Sequence, residues 1–352
     1  MDRKEIVVTT TAPAPPAGPP KARKQSPQMS PQGSGKLAAL LLSPTFVVLG
    51  LVIAYPLISA MRESLYRKPE GVDESGFVQE GDIWVGIKNY TDIFKGDTAD
   101  RFWNAFGNTS LFTLTSVSIE IVIGVAMALI MHHAMRGKGL VRASILVPWA
   151  IPTAVSALLW KWIFQTDGIA NAILNQQILW TAEGQQAFWA VVIADTWKTA
   201  PFIGLLTLAG LQIISGEVYE AAKVDGANAW RTFWQITLPL VKPALLVAVL
   251  FRVLDVLRMF DLPFVMIGEH KHSVETLSML AYDEAFNVRY GPAAAYATLL
   301  FIYVVIVALV FVKLLGADVI GEAKAKKKAV KERMVLTTLP AAVVISSSGA
   351  VR

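Results

Sequence analysis

Six long apolar blocks, separated by short polar or charged stretches, constrain this chain more than any other feature of its sequence. Each block has the roughly 20 residues that a helix needs to cross about 30 Å of hydrocarbon at about 1.5 Å per residue. We therefore predict an all-α integral membrane protein with six transmembrane helices. The blocks cover residues 37–61, 106–131, 143–164, 188–214, 236–267 and 292–315.

The composition supports the membrane class and limits the chemistry. Of the 352 residues, 54% are apolar and 17% are charged, whereas soluble proteins average about 25% charged residues. The absence of cysteine excludes disulfides, thiolate metal sites and cysteine nucleophiles. The net charge of +5 is concentrated in the tails and short loops, which indicates membrane topology and no nucleic-acid partner.

The distribution of Lys and Arg between the blocks predicts the orientation and the domain boundaries. Residues 1–35 are Pro-rich and basic, which predicts a disordered cytoplasmic tail. The six-span domain follows over 36–316, and 317–352 form a basic cytoplasmic tail. Basic residues also place 132–142 and 215–235 in the cytoplasm, while 165–187 has no Lys or Arg. The loop 62–104 has six basic residues among many acids, and we assign it to the outside against this rule.

No cofactor or metal site is predicted on this chain. The GSGK stretch at 33–36 has Ser30 in place of the first Gly of a phosphate loop, and Leu37 in place of the Ser or Thr that would bind Mg²⁺. His132 and His133 are adjacent, so on a helix they point about 100° apart and make poor joint metal ligands. Any ATP hydrolysis must therefore occur on another chain.

Ionisable residues within the apolar blocks have two open interpretations. Each costs a few kcal/mol at the bilayer centre unless it finds a partner, and the acids and bases are equal in number. They form either static ion pairs between helices or the lining of a hydrophilic substrate path. Lys161 and the tryptophans also fit the membrane interface. The candidate path residues are Arg252, Asp255, Arg258, Asp261, Asp195, Lys198, Glu120, Trp160, Tyr282 and Asn287.

The spacing of these charges predicts local pairs and a break. Asp195 and Lys198 are three residues apart, as are Arg252 and Asp255, so each pair shares a helix face. Steps of three drift by about 60° on an α-helix, which adds up to about half a turn between Arg252 and Asp261. Either the helix unwinds before Pro263, or Asp261 faces a different neighbour.

A polar segment at 215–239 lies between the fourth and fifth blocks. Glu217 and Glu220 suit the first turn of a helix, and Asp225-Gly226 is a turn signal with a left-handed glycine. A second short helix is predicted at about 229–235. A simple connector needs only two to eight residues, so exposed aromatics on two structured turns favour docking to a partner.

This segment resembles the EAA loop in permease subunits of binding-protein-dependent ABC importers. That pattern is EAA, three residues, Gly, nine residues and I-x-L-P. It is matched by Glu220, Ala221, Ala222, Gly226, Ile236, Leu238 and Pro239. The resemblance covers about 37–315. Residues 142–164 and 251–261 resemble the carbohydrate branch, and the overall pattern is most similar to actinobacterial trehalose permeases.

The resemblance implies a type I ABC importer permease fold in a bacterial plasma membrane, with both termini in the cytoplasm. The residues that would then couple the chain to an ATPase subunit are Glu220, Ala221, Ala222, Asp225, Gly226, Ile236, Leu238 and Pro239. The implied partners are a second permease, two ATPase subunits carrying ATP and Mg²⁺, an extracytoplasmic sugar-binding lipoprotein, membrane lipid and a sugar such as trehalose or maltose. The chain itself would not be an enzyme.

Two other classes remain to be weighed. A proton-coupled secondary transporter could use the paired intramembrane acids and bases, but no inverted repeat of broken helices is visible. A membrane-embedded enzyme would need a metal-spaced cluster, a serine nucleophile motif or an acid/base carboxylate pair, and none is recognisable.

Overall fold

The computed structural model describes residues 31–69, 81–133 and 137–313, with side chains from Ala38 onward. The C-terminal tail predicted for 317–352 lies outside these residues, as does the part of the predicted N-terminal tail up to residue 30. Helix α1 begins at Pro31, so the last five residues of the tail predicted for 1–35 are helical. Proline is well tolerated in the first turn of a helix, which allows a helix to begin within this Pro-containing stretch.

The chain divides into two compact units, Met1–Leu57 and Ile58–Arg352. The first contains α1 (Pro31–Leu49), a wide π turn (Gly50–Ala54) and the start of α2 (Tyr55–Glu63). Ala38–Glu63 is long and apolar enough to span a membrane, and it corresponds to the first predicted block. Its apolar side chains are exposed, as lipid-facing side chains are in a membrane helix.

The second unit begins with small elements inside the predicted loop 62–104. Strand β1 (Tyr66–Arg67) pairs antiparallel with β2 (Ile83–Trp84), and α3 (Lys88–Ile93) follows. The buried Asn89 amide donates to the carbonyl oxygens of Ser64 and Tyr66, at 2.7 and 2.8 Å. The loop is therefore folded where the structure describes it, and its last residues belong to the next helix.

Long helices form the centre of this unit, and α8 is the most enclosed of them. In the most apolar part of α8, 72% of the residues are buried. A Cβ atom built on Gly124 of α4 would lie 2.8 Å from Cβ of Ile203 on α8, so the glycine is what lets these helices approach. The long helices are α4 (Gly96–His132), α8 (Gln185–Ile213), α11 (Leu238–Val256) and α14 (Tyr290–Lys313).

The third predicted span, 143–164, is bent rather than straight. It consists of α5 (Lys138–Ala150) and α6 (Thr153–Ile163), which meet at 92°. Pro152 supplies no N–H and forces Ile151 into an extended conformation, with ψ at 133°. Among the described residues five helices can cross a membrane by length and composition, and the bent pair makes six if it counts as one span.

The fifth predicted span, 236–267, is also divided. Helix α11 ends at Val256, and α12 (Asp261–Met266) begins after a short turn. Of the two alternatives left by the spacing of the charges, the structure shows that the helix unwinds before Pro263. The remaining helices of the unit are short: α7 (Ile169–Leu174), α9 (Gly216–Val224), α10 (Ala229–Thr232) and α13 (Leu277–Phe286).

Three apolar clusters pack the second unit along α4. We name the two ends of this unit after the first and last residues of α4, the Gly96 end and the His132 end. The largest cluster surrounds α8 and includes Phe112 and Phe188, whose rings stack 4.4 Å apart. A second joins α3, α13 and α14 to the Gly96 end. The third, with Met131 and Leu211, lies at the His132 end. This end also carries residues 215–239.

Candidate functional site

Residues 215–239, called the EAA segment here, begin with a helix that is capped at both ends. The Ser215 hydroxyl oxygen accepts a hydrogen bond from the Glu217 N–H, at 3.3 Å, at the start of α9. At its end, Ala227 N–H donates to Ala222 O and Gly226 N–H donates to Lys223 O, which is a Schellman motif. Gly226 has φ +72°, so the predicted left-handed glycine turn is confirmed.

The second half of the segment differs from the prediction of a separate short helix at 229–235. Helix α10 begins with Asn228, whose side-chain oxygen accepts from the Arg231 N–H at 2.8 Å. It then continues through a π turn, Phe233–Thr237, into α11 without a break. The wide turn, in which Leu238 N–H donates to Phe233 O, accommodates Pro239, which has no N–H to donate.

The sequence-predicted residues of this segment present a mixed surface. The side chains of Glu220, Ala221 and Asp225 are exposed, whereas Ala222 is only 5% exposed and packs inward. Exposed aromatics lie beside them, with Trp230 and Trp234 in edge contact at 5.6 Å between ring centroids. Of the other motif residues, Gly226 and Pro239 are exposed, and Ile236 and Leu238 are half-buried.

A buried charge cluster joins three long helices near the middle of the bundle. Arg252 of α11 donates to Glu120 of α4 through Nε at 2.7 Å and through Nη2 at 3.1 Å. The same Nη2 also binds the Asp195 carboxylate of α8. The Thr199 hydroxyl lies 2.7 Å from Glu120 and 2.6 Å from the Asp195 carbonyl oxygen. Arg252 is 3% exposed and Glu120 is fully buried.

Asp255 connects this cluster to an open surface. Its Oδ2 atom accepts from Arg252 Nη1 at 2.6 Å, yet 64% of its side chain is exposed. The predicted Arg252–Asp255 pair is therefore present. Lys198 is buried beside the cluster at 8% exposure. Asp195, which the spacing pairs with Lys198, forms its ion pair with Arg252 on another helix.

The other candidate path residues do not join the cluster. Arg258 is exposed and donates to the Leu254 carbonyl oxygen, and Asp261 is exposed at the start of α12. Trp160 packs against Trp197 at 5.6 Å. Tyr282 lies among aromatic rings, 4.9 Å from Phe260 and 5.0 Å from Phe264. Asn287 is exposed and donates to the carbonyl oxygen of Asp283, at 2.8 Å.

A second ionic cluster, at the Gly96 end, was not predicted. Arg101 lies 2.6 Å from Glu275 and 2.8 Å from Asp283, so α4 is tied to the segment around α13. Burial raises the pKa of the neighbouring Glu284 above its usual value, although the charge of Arg289 pulls it down. Arg101 and Glu275 are 174 residues apart, so spacing along the chain carries no signal for the pairing. No group of three His, Asp or Glu residues that could hold a metal occurs in the described ranges.

The described residues are mostly helical and contain five helices, or six if the bent pair counts as one span, that can cross a membrane. Together with the buried charges and the capped helix of the EAA segment, they are typical of a multi-pass membrane transport protein. Residues 120–321 match the family described as binding-protein-dependent transport system inner membrane component, and the chain belongs to that family. The resemblance of the chain to permease subunits of binding-protein-dependent importers is thereby confirmed at the level of the family.

Relatives of this chain are named as sugar permeases. Over 284 residues it is 37% identical to the "Trehalose/maltose transport system permease protein MalF" of Thermococcus litoralis, covering 79% of this chain and 93% of the relative. Over 298 residues it is 38% identical to the "Trehalose transport system permease protein SugA" of Mycobacterium tuberculosis, covering 81% and 91%. The "Sulfoquinovosyl glycerol transport system permease protein SmoG" of Agrobacterium fabrum is 36% identical, over 75% and 85%.

Solved structures confirm the type I importer permease fold. A bacterial ABC transporter involved in the import of the acidic polysaccharide alginate has a chain that matches with a TM-score of 0.68. The match covers 81% of this chain and 96% of that chain, at 19% identity. The inward-facing MetNI methionine ABC transporter matches with a TM-score of 0.50 over 63% of this chain and 98% of that chain.

Proposed function

We propose that this chain is one of two permease subunits in a sugar importer, and that its substrate is a disaccharide such as trehalose or maltose. The observation that carries the proposal is the capped α9–turn–α10 hairpin with the EAA residues on it. The sugar assignment is supported by relatives at 37% and 38% identity whose names include trehalose. Family membership also favours this function over a proton-coupled secondary transporter.

The EAA segment is proposed to couple the permease to an ATPase subunit. Exposed Glu220 and Asp225 present carboxylates to the partner, and Ala221 allows its close approach. Helix α10 continues into α11, and α11 carries the Arg252 that binds both α4 and α8. A displacement of the segment is therefore transmitted to three long helices, and ATP-driven closure of the ATPases would switch the path between its two orientations.

The charge cluster is proposed to have two parts with different roles. Glu120, Asp195 and Arg252 are buried and bind one another, so they hold α4, α8 and α11 together. Asp255 faces open space, and while Arg252 holds its Oδ2, its exposed carboxylate can still accept a hydrogen bond from a sugar hydroxyl. Exposed Arg258 and Asp261 extend this polar face toward α12.

The proposed orientation places the EAA segment and both termini in the cytoplasm of a bacterial cell. Two ATPase subunits then bind at the His132 end and carry ATP and Mg²⁺. An extracytoplasmic sugar-binding protein docks at the Gly96 end. A related complex, the alginate transporter, has been solved with an alginate-bound periplasmic protein.

The test is uptake of labelled trehalose and maltose by the complete importer in proteoliposomes, with Gly226→Val and Gly226→Asn compared. Gly226 has φ +72°, and a Cβ atom added to it would meet nothing within 4 Å, so the substitutions differ in backbone preference rather than in clash. A left-handed conformation costs an ordinary residue about 1–2 kcal/mol, but asparagine tolerates it.

We expect Gly226→Asn to retain most of the uptake and Gly226→Val to lose it while the complex still assembles. Normal uptake by Gly226→Val would contradict the coupling role. Uptake that persists without the ATPase subunits and stops when the proton gradient is collapsed would contradict the importer assignment itself. Competition by unlabelled sugars in the same assay ranks trehalose against maltose.

A further inference from the structure

A cavity of about 770 Å³ opens between the EAA segment and the His132 end of the bundle. Its size falls within the range of about 300–1,000 Å³ that is typical of ligand sites. Helix α4 contributes Leu129 and His132, and His133 follows directly after it. Helix α8 contributes Leu211, and the EAA segment contributes the opposite wall. Glu220 and Asp225 are not among the lining residues, so the cavity is separate from the acidic face proposed to meet the ATPase.

The polar lining of this cavity favours an anion. Among the residues that the structure describes, His132, His133 and Lys223 line it, and no acidic side chain does. Within the described ranges, the Lys223 ammonium forms no hydrogen bond and no ion pair. The Tyr219 hydroxyl adds a further polar group on the same wall. The Lys223 ammonium is therefore a positive charge that an anionic ligand can neutralise, and the two imidazoles can add hydrogen bonds to it.

The rest of the lining is apolar and aromatic. Leu129, Leu211 and Phe233 form walls against which hydrocarbon can pack, and Trp230 lies at the margin with 72% of its surface exposed. Tryptophan is typical of the membrane interface, and the cavity lies where α4 and α8 reach their ends. A ligand that fits these apolar walls, the Lys223 ammonium and a position at the membrane interface is amphiphilic.

We propose that the cavity binds an anionic phospholipid of the cytoplasmic leaflet, with its phosphate between Lys223 and His133 and its acyl chains along Leu129 and Leu211. Basic pockets between membrane helices on the cytoplasmic side are known to suit such head groups. The inference rests on the proposed function, because that function places the EAA segment in the cytoplasm. A lipid here fills the space between the segment and the bundle and holds them together.

The test measures lipid retention by native mass spectrometry on the complete importer, titrated with phosphatidylglycerol or phosphatidylcholine. We expect one phosphatidylglycerol to be retained per copy of this chain in preference to phosphatidylcholine. Lys223→Gln should weaken its binding about fivefold, which corresponds to the contribution of about one basic residue at an anionic surface. His133→Gln should weaken it further in combination.

The matched control is Arg231→Gln. Arg231 is a basic residue of the same segment, but it donates to Gln235 and does not line the cavity. It should leave lipid binding unchanged. An equal loss of phosphatidylglycerol binding in Arg231→Gln and Lys223→Gln would show a general attraction between basic residues and the anionic lipid, and it would overturn the proposed site.

Three other outcomes would also overturn the proposal. Equal retention of the two lipids removes its selectivity. Displacement by inorganic phosphate alone points to a soluble anion. If lipid binds only after residues 314–352 are removed, the chain's own C-terminal tail and not a lipid occupies the cavity. Trehalose uptake measured on the same preparations in phosphatidylcholine vesicles separates failure of this inference from failure of the proposed function, because uptake tests the latter directly.

Discussion

Replacing Arg252 by methionine tests how the buried charge cluster stabilises the bundle. Methionine fills a comparable volume but removes the only cation that binds Glu120 and Asp195 within the described residues. Glu120 is fully buried, and the Asp195 side chain is 7% exposed, so both carboxylates lose their paired arginine away from water. Breaking a buried pair in this way costs about 3–5 kcal/mol.

Two comparison variants separate this effect from the loss of any ion pair. Asp255 is 64% exposed, so Asp255→Asn should cost less than about 1 kcal/mol even though it removes a carboxylate charge from the same arginine. The triple variant Glu120→Gln, Asp195→Asn and Arg252→Met removes the three buried charges that bind one another. It should cost less than Arg252→Met alone, because neither carboxylate is then left buried without its cation.

The absence of cysteine makes the measurement direct. Ala194 is fully buried on α8, and a cysteine placed there becomes accessible to a thiol reagent only when the bundle opens. The assembled importer is unfolded with increasing concentrations of a denaturing detergent, and labelling of this chain is followed by mass spectrometry. A cost below about 1 kcal/mol for Arg252→Met, or a triple variant less stable than the single one, would refute the assigned role of the cluster.

Two further predictions concern packing and capping. Gly124→Ala would place a Cβ 2.8 Å from the Ile203 side chain and should destabilise the bundle by about 1–3 kcal/mol. Gly107→Ala on the same helix meets open space and should not destabilise it. Equal labelling of Ala194→Cys in the two glycine variants would contradict the close approach. Asn228→Ala removes the cap of α10, which costs about 1 kcal/mol, and should speed amide exchange at Arg231 while leaving α8 unchanged; unaltered exchange at Arg231 would show that the cap does not hold the turn.

The sequence predicts the helical spans well because their apolar length is a local property. It also predicts the Gly226 turn, since a left-handed position in a helix C-cap strongly favours glycine. The bend at Pro152 is predicted only in part. The missing N–H predicts a break, but the 92° angle depends on the neighbours of α5 and α6. The π turn at Phe233–Thr237 is likewise not visible in the periodicity.

The charge cluster shows where spacing misleads. Residues three apart predict that Asp195 pairs with Lys198, but α8 packs between α4 and α11, and the shared arginine comes from α11. The division between buried Glu120 and exposed Asp255 follows from this packing. Likewise, Arg101 and Glu275 meet only because α4 passes the segment before α13.

Cross-linking from the EAA segment tests the central claim most directly. Ala221 is exposed, and Ala221→Cys introduces a unique thiol for a short bifunctional reagent in the assembled importer. Val288→Cys, exposed beyond α13, is the matched position away from the segment. The account predicts that Ala221→Cys cross-links to an ATPase subunit, with a yield that changes when ATP is bound, and that Val288→Cys does not. Cross-linking of the ATPase through Val288→Cys and never through Ala221→Cys would contradict it.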